Sequence, residues 1–300
     1  MRLDGEEESS NYEVQRGGGG GLGFGGGGGG GMLGMLLPLV ASRFGCGGVV
    51  VLLIVLALFG GLGNLGSLVG GGSVAPTQQS QPAAGAGEQG ELTPIQHWSL
   101  KVLGSTERVW GQVFKQSGET YKPTTLVFYQ SSGQSGCGAA QSAMGPFYCP
   151  NDAKIYLDTS FFDELTQRFG APGDFAQAYV IAHEVGHHIQ DLEGTLAKVH
   201  GQQGRASEAQ GNALQVKVEL QADCYAGVWG KVTGLMEAGD LEEGMKAAQA
   251  IGDDTLQRSA GQTPMPDSFT HGTSAERMRW LKRGIDTGNP AQCNTFAGGV

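Results

Sequence analysis

Three residues in the middle of the chain, His183, Glu184 and His187, form the pattern H-E-x-x-H. Residues four apart share one face of an α-helix, so both imidazoles can point at one metal ion while Glu184 projects beside them. This set suits zinc-dependent hydrolysis, in which the ion polarises a carbonyl group and activates a water molecule whose proton the glutamate takes. The pattern predicts a site for one zinc ion, with His183 and His187 as ligands and Glu184 as the general base.

Glu219 and Asp223 are also four residues apart, in a partly apolar helical stretch. Zinc needs a third protein ligand, and we predict that Glu219 supplies it. One helical turn further on, Asp223 is placed to accept the outer N–H of a ligating histidine and fix its tautomer. The alternative is that both carboxylates lie on a solvated helix face.

His271 precedes a segment in which Thr273 and Glu276 have the spacing of a helix capping box, and Gly284 is placed to end that helix. A histidine just before a capped helix can enter a cleft. We predict that His271, together with Arg277, contacts the substrate and stabilises the negatively charged oxygen that forms during hydrolysis. The alternative for His271 is a surface turn.

Helices and strands must position these side chains. Apolar residues at helical spacing follow Asp174, a plausible N-cap for the helix that carries H-E-x-x-H. Residues 124–130 and 154–158 are strand-like, and we predict that the second strand lies at a sheet edge, where it can pair with an extended substrate. An interior strand is the alternative. Residues 238–261 contain a predicted helix and a loop to which the sequence assigns no function.

The amino-terminal part differs in composition from the rest. Residues 17–31 are glycine apart from Leu22 and Phe24, which predicts a disordered leader over residues 1–43. Residues 44–65 are uncharged and apolar, and this length suits one transmembrane helix, since about 20 residues cross a bilayer. A cleaved signal peptide and a buried core helix are the alternatives. Residues 66–90 read as a flexible linker, and residues 91–300 as one domain.

Basic residues and cysteines predict the location of that domain. Arg2, Arg16 and Arg43 precede the apolar run, and the next basic residue is Lys101, which predicts a cytoplasmic amino terminus and a periplasmic or extracellular domain. Four cysteines follow the run without a C-x-x-C pair, which favours two disulfides in an oxidising compartment. Of the three possible pairings we favour Cys137–Cys149 with Cys224–Cys293. Four buried free thiols are the alternative.

The charge balance excludes one class of partner. The chain has 19 basic and 29 acidic side chains, and its Lys and Arg residues form no cluster. Binding to nucleic acid needs a basic surface, so we expect no nucleic acid partner. The expected partners are a peptide or unfolded protein substrate and, through the apolar run, the lipid bilayer.

With these motifs the sequence resembles the neutral zinc metallopeptidases, bacterial single-span membrane proteins of the zincin class. The likeness includes the glycine-rich leader and the apolar run, and it continues through residues 145–150, 182–188, 219–224, 269–272 and Cys293. The resemblance implies an α+β zincin-like domain with a small sheet over two metal-binding helices. It also implies a zinc endopeptidase with His183, His187 and Glu219 as ligands and Glu184 as base. His271 is similar to a histidine of related membrane-associated metallopeptidases.

The sequence therefore predicts a membrane-anchored zinc endopeptidase. The alternative is a non-catalytic, zinc-stabilised domain that binds peptides or a partner in the cell envelope. Glu184 favours the enzyme, because a binding domain needs no base. A zinc hydrolase that acts on other bonds is a third reading with the same metal chemistry.

Overall fold

The computed structural model describes residues 1–15 and 91–297, and these ranges form an α+β structure. The strands are Tyr12–Gln15 (β1), Thr125–Tyr129 (β2), Ser132–Ser135 (β3), Gly138–Gln141 (β4), Phe147–Cys149 (β5) and Lys154–Leu157 (β6). The α-helices are Pro94–Gln116 (α1), Phe161–Gln167 (α2), Asp174–Leu192 (α3), Thr195–Gln203 (α4), Glu208–Thr233 (α5), Asp240–Ala250 (α6), Asp253–Ser259 (α7) and Ser274–Thr287 (α8). The predicted combination of a small sheet with helices is confirmed.

The main sheet has the strand order β1-β2-β6-β5. Strands β1, β2 and β6 run parallel, whereas β5 pairs antiparallel with β6. Strands β3 and β4 form a separate hairpin. The prediction that residues 154–158 form an edge strand is wrong, because the short strand β5 occupies the next position and leaves β6 in the interior. The edge strand on that side is therefore β5.

The amino-terminal residues belong to this folded unit. Strand β1 pairs with β2 from Tyr12 to Gln15, and Leu3 is only 7% exposed in the core. The expected disorder of the leader is thus wrong for residues 1–15, where alternating Tyr12 and Val14 pack against the core. The predicted span at 44–65 and the linker at 66–90 lie outside the described residues. Among the described helices, none combines the length and apolar character needed to cross a membrane.

Helices α3, α5 and α8 pack closely around the residues of interest. Helix α3 begins at Asp174, and its N-cap is Gly173 rather than the predicted Asp174. The predicted capping box of Thr273 and Glu276 starts α8. That helix continues through Gly284 to a C-cap at Gly288, so the prediction that Gly284 ends it is wrong. A side chain at Gly284 would place a Cβ 2.0 Å from the carbonyl oxygen of Cys224, so this glycine permits close packing of α8 on α5.

Within the described residues, two disulfides are present, one local and one between distant segments of the chain. Cys137 is bonded to Cys149 and Cys224 to Cys293, the pairing favoured from the sequence. The first bond joins the β3–β4 hairpin to the end of β5. The second joins α5 to the carboxy-terminal segment.

Candidate metal centre

Helices α3 and α5 bring the three predicted ligands together. The Nε2 atom of His183 lies 3.1 Å from Oε2 of Glu219, and Nε2 of His187 lies 3.6 Å from the same oxygen. One ligand atom from each of the three side chains lies within 4.8 Å of the others. His183 and Glu219 are buried, and His187 is partly buried. The two histidines and Glu219 therefore present two nitrogens and one oxygen to a common point, although His183 and Glu219 are 36 positions apart in the chain.

Gly186 explains why the two helices can approach so closely. A Cβ at this position would lie 3.0 Å from both the Cα atom and the carbonyl oxygen of Ala222. The H-E-x-x-H run thus places its smallest residue against α5, between the two histidines in sequence. The absence of a side chain at Gly186 lets Glu219 reach both imidazoles.

This donor set fits zinc. Two ligands each about 2.1 Å from a tetrahedral zinc ion are roughly 3.4 Å apart, close to the two distances to Glu219. The surroundings also stabilise positive charge: burial opposes it, but hydrogen bonds to Asp223 and Glu219 raise the pKa of His183 to about 10. Three protein ligands leave a fourth position for water or substrate, the arrangement of a catalytic rather than a structural zinc site.

Each predicted ligand has a partner that fixes its orientation. Asp223 lies 2.9 Å from Nδ1 of His183, as predicted. The side-chain oxygen of Gln190 lies 2.9 Å from Nδ1 of His187, and Gln215 donates to Oε1 of Glu219 over 2.9 Å. Such outer contacts leave the Nε2 atoms facing the centre and set the direction of each ligand. Neither glutamine was identified from the sequence.

Asp223 is the centre of a buried polar network. Tyr179 donates to its Oδ1 over 2.6 Å, and Arg277 donates to both carboxylate oxygens over 2.8 and 2.9 Å. Although burial alone would raise the pKa of Asp223, the guanidinium of Arg277 and the contact with His183 lower it, so this carboxylate stays ionised. The network therefore keeps the ionised carboxylate of Asp223 within hydrogen-bond distance of His183.

Arg277, predicted to contact the substrate, lies in the wall of the cleft, where its side chain binds other residues of the protein. Its side chain is 2% exposed, and its donors go to Asp223, to the hydroxyl of Tyr179 and to the carbonyl of Ile251. In this arrangement the guanidinium is held by three acceptors of the protein. Arg277 is therefore a positioning residue, which acts on His183 through Asp223.

Glu184 lies between the ligands and the sheet. The side chain is buried, and the backbone amide of Tyr148 on β5 lies against its carboxylate. Burial raises the pKa of Glu184, while His187, His183 and this amide oppose the rise. A carboxylate with a raised pKa beside a metal centre is suited to take up a proton.

His271 is held at the cleft by Asp253. Oδ2 of Asp253 accepts from the backbone amides of Thr270, His271 and Gly272 over 2.6–3.0 Å, and Oδ1 lies 3.2 Å from Nδ1 of His271. Burial alone would lower the pKa of His271, but Asp253 and then Glu219 raise it above its usual range. The imidazole remains half exposed, at 49%. Asp253, in a region to which the sequence assigned no function, thus fixes a predicted catalytic side chain.

These groups line one cleft of about 520 Å³. Its lining includes His183, Glu184, His187, Glu219 and His271. Apolar side chains cover much of the remaining wall, among them Phe147, Phe161, Phe169, Val180, Leu196 and Val199. The neighbouring His188 is instead buried, with Nε2 2.7 Å from the carbonyl of Lys122, and has a structural role.

Known proteins resemble this chain in sequence. A protein of Escherichia coli K12 named "Uncharacterized protein YpfJ" is 46% identical over 304 residues, covering 99% of each chain. "Uncharacterized protein Mb2605" of Mycobacterium bovis is 40% identical over 208 residues, covering 64% of this chain and 68% of the relative. No solved structure matches the chain. The model of a family described as "Putative neutral zinc metallopeptidase" matches residues 1–296, and the chain belongs to this family.

Proposed function

We propose that the protein is a zinc-dependent endopeptidase that hydrolyses peptide or unfolded protein substrates outside the cytoplasm. The observation that carries this proposal is the convergence of His183, His187 and Glu219, with one ligand atom each within 4.8 Å of the others. Glu184 on the same helix supplies the base that a purely structural zinc site does not need. Membership of a zinc metallopeptidase family supports a hydrolase.

The chain's own residues can perform the proton transfers of hydrolysis. A zinc ion bound by the three ligands would polarise the substrate carbonyl and make a bound water more acidic. Glu184 accepts the proton of the attacking water and delivers it to the leaving amine. His271, in its protonated form, donates a hydrogen bond to the carbonyl oxygen as negative charge develops on it. Asp253 keeps that imidazole oriented toward the cleft.

Strand β5 is the candidate for binding the substrate backbone. It lies at the edge of the sheet and lines the cleft with Phe147 and Tyr148. An extended peptide can add to such an edge by main-chain hydrogen bonds, while apolar pockets accept its side chains. Because this mode reads the backbone, it favours peptides and unfolded proteins over compact ones.

The cysteines support a location outside the cytoplasm. Disulfides persist in oxidising compartments and are rare in the cytosol, and the part of the chain that the structure describes contains two. We propose that the apolar run at 44–65 attaches the chain to the lipid bilayer. A membrane-attached peptidase of this kind would act on proteins of the cell envelope.

The test compares the purified full-length wild type with Glu184→Gln, using an unfolded protein substrate and measuring bound zinc in both. We expect one zinc per chain in each, and a kcat at least about 100-fold lower in the variant, because general base catalysis is lost. The matched control is Glu208→Gln, which alters an exposed glutamate in the first turn of α5 and should leave kcat unchanged.

Other outcomes separate the alternatives. Zinc and peptide binding without cleavage of any substrate by the wild type would support a non-catalytic binding domain. Cleavage of ester or other non-peptide bonds alone would support a different zinc hydrolase. Absence of zinc from the wild type after purification in zinc-containing buffer would overturn the ligand assignment.

A further inference from the structure

The amino-terminal residues contact the domain along their whole described length. Strand β1 forms a parallel ladder with β2, in which Tyr12 pairs with Leu126 and Gln15 with Tyr129. Before the strand, the backbone amide of Ser9 donates to the carbonyl of Leu100 over 3.0 Å, and that of Arg2 to Leu235 over 2.9 Å. Residues 2–15 therefore form backbone hydrogen bonds with the domain at several points, as an integral part of the fold does.

Helix α1 provides a fitted surface for this segment. A Cβ at Gly104 would lie 2.4 Å from the carbonyl oxygen of Glu7, so only glycine lets the segment lie this close to the helix. Three residues further on, the carboxylate of Glu107 accepts from Ser9 over 2.6 Å and from Asn11 over 2.8 Å. The close approach and the two hydrogen bonds define one register for the segment on α1.

Charge complementarity extends these contacts. The segment is acidic, and three of its glutamates pair with basic groups of the domain: Glu6 with Arg108 at 3.0 Å, Glu8 with His97 at 2.9 Å and Glu13 with Lys154 at 2.7 Å. Exposed pairs of this kind add little stability individually. Their distribution over α1 and β6 shows instead that the domain surface is matched to this segment.

We infer that residues 1–15 and residues 91–297 lie on the same side of the membrane. Paired strands are about 4.8 Å apart, whereas the hydrocarbon core of a bilayer is about 30 Å thick. A single crossing by residues 44–65 would separate β1 from β2. The β1–β2 ladder therefore requires the two described ranges to lie on one side of the bilayer.

This inference does not depend on the proposed peptidase activity, and it changes the topology expected from the sequence. A cytoplasmic amino terminus combined with an extracytoplasmic domain is incompatible with the β1–β2 ladder. The two disulfides favour the oxidising side for the domain, and the amino-terminal segment must then be exported with it. Strand β1 also covers the edge of the sheet far from the cleft, which leaves β5 as the edge beside the metal centre.

The test labels single introduced cysteines in the full-length chain, expressed in Escherichia coli in a Cys46→Ser background. Asp4→Cys reports on the amino-terminal segment and Ala209→Cys on the domain, and both positions are exposed. A membrane-impermeant maleimide is added to spheroplasts before or after permeabilisation. We expect both cysteines to react before permeabilisation. Reaction of one before and of the other only after permeabilisation would overturn the inference.

Protection of both cysteines until permeabilisation would uphold the shared compartment and overturn the extracytoplasmic location. A second experiment tests the contact itself in detergent, with a specific protease site inserted after Gln81. After cleavage, the amino-terminal fragment should stay bound to the domain in gel filtration. Gly104→Ala should release it, whereas Gly111→Ala, on the same helix with nothing within 4 Å, should not. Dissociation of the wild-type fragment would overturn the inference.

Discussion

Asp223 and Arg277 form a buried ion pair with two hydrogen bonds, from Nε to Oδ2 over 2.9 Å and from Nη2 to Oδ1 over 2.8 Å. The same carboxylate lies 2.9 Å from Nδ1 of His183. A guanidinium on α8 thus orients an imidazole on α3 through a carboxylate on α5. The orientation of one predicted zinc ligand therefore depends on how three helices pack.

Arg277→Met should weaken both the fold and the metal site. Removing one partner of a buried ion pair costs about 3–5 kcal/mol, because the remaining charge stays buried without compensation. Loss of an outer contact to a ligating histidine lowers zinc affinity by about 10- to 100-fold. Urea unfolding and competition with a zinc chelator measure the two effects. Arg283→Met, at an exposed position on the same helix, is the control, and equal effects of both variants would contradict the assigned role.

Gly186→Ala should separate α3 from α5. The added methyl group would lie 3.0 Å from the backbone of Ala222, so the helices must move apart and Glu219 must move away from the two histidines. We expect zinc affinity to fall at least about tenfold, since loss of ligand geometry costs more than 1.4 kcal/mol. Gly111→Ala, in open space on α1, should bind zinc normally and unfold at slightly higher urea. Unchanged zinc binding by Gly186→Ala would show that the helix spacing is not critical.

Asp253→Asn should change the pH dependence of kcat/KM. If the protonated form of His271 assists the reaction, the rate falls as pH rises through its pKa, which Asp253 raises. Asparagine can still accept backbone hydrogen bonds but removes the charge, so the alkaline fall should begin at lower pH, with unchanged zinc content. Asp254→Asn is the control, because Asp254 contacts Ser274 and Arg258 instead. His271→Ala should abolish this limb of the profile.

The same pair has a defined effect on folding. A raised pKa in the folded state means that protonated His271 stabilises the fold at pH values below its unfolded pKa. This contribution is lost as pH rises through the folded pKa. Asp253→Asn should therefore destabilise the chain more at acidic than at alkaline pH, as measured by thermal unfolding. Equal destabilisation at acidic and alkaline pH would show that the Asp253 carboxylate stabilises the fold only through its hydrogen bonds with the backbone amides of residues 270–272.

The two disulfides should contribute unequally to stability. Loop closure predicts about 4 kcal/mol for Cys224–Cys293 and about 3 kcal/mol for Cys137–Cys149, because the first closes the longer loop. Paired alanine variants for each bond, unfolded in urea, measure the difference. Only the loss of Cys137–Cys149 should raise KM for peptides without changing zinc content, since that bond anchors β5. If KM rises in both variants, the increase does not result from the loss of the bond that anchors β5.

Features confined to one element were predictable. His183 and His187 lie one turn apart on one helix with Glu184 beside them, so spacing alone predicted that the two imidazoles share a face. Thr273 and Glu276 likewise form their capping box within one turn. Glu219 required a further chemical argument, the need of zinc for a third ligand. The helix motif and the capping box join residues that are close in sequence. For Glu219, zinc chemistry restricted which residue types could be the third ligand.

Features that depend on distant contacts were missed. Asp253 acquires its role only because the chain returns to it at residues 270–272, and Arg277 differs from a surface arginine only through contact with Asp223. Gly284 matched a helix stop locally, yet its position against Cys224 demands glycine within a continuing helix. Strand β1 is short, acidic and next to a glycine tract, and its partner lies more than 100 residues away.

The pairing of β1 with β2 also imposes an order on synthesis. Tyr12 leaves the ribosome well before its partner Leu126, and at about 5–20 residues per second the interval is roughly 6–23 s. During this time the first strand has no sheet to join. Glu13 in the strand and the glutamates before it disfavour pairing with other chains, since charge protects exposed strands from aggregation. The acidic residues of the segment thus protect the nascent chain from aggregation before they form ion pairs with the folded domain.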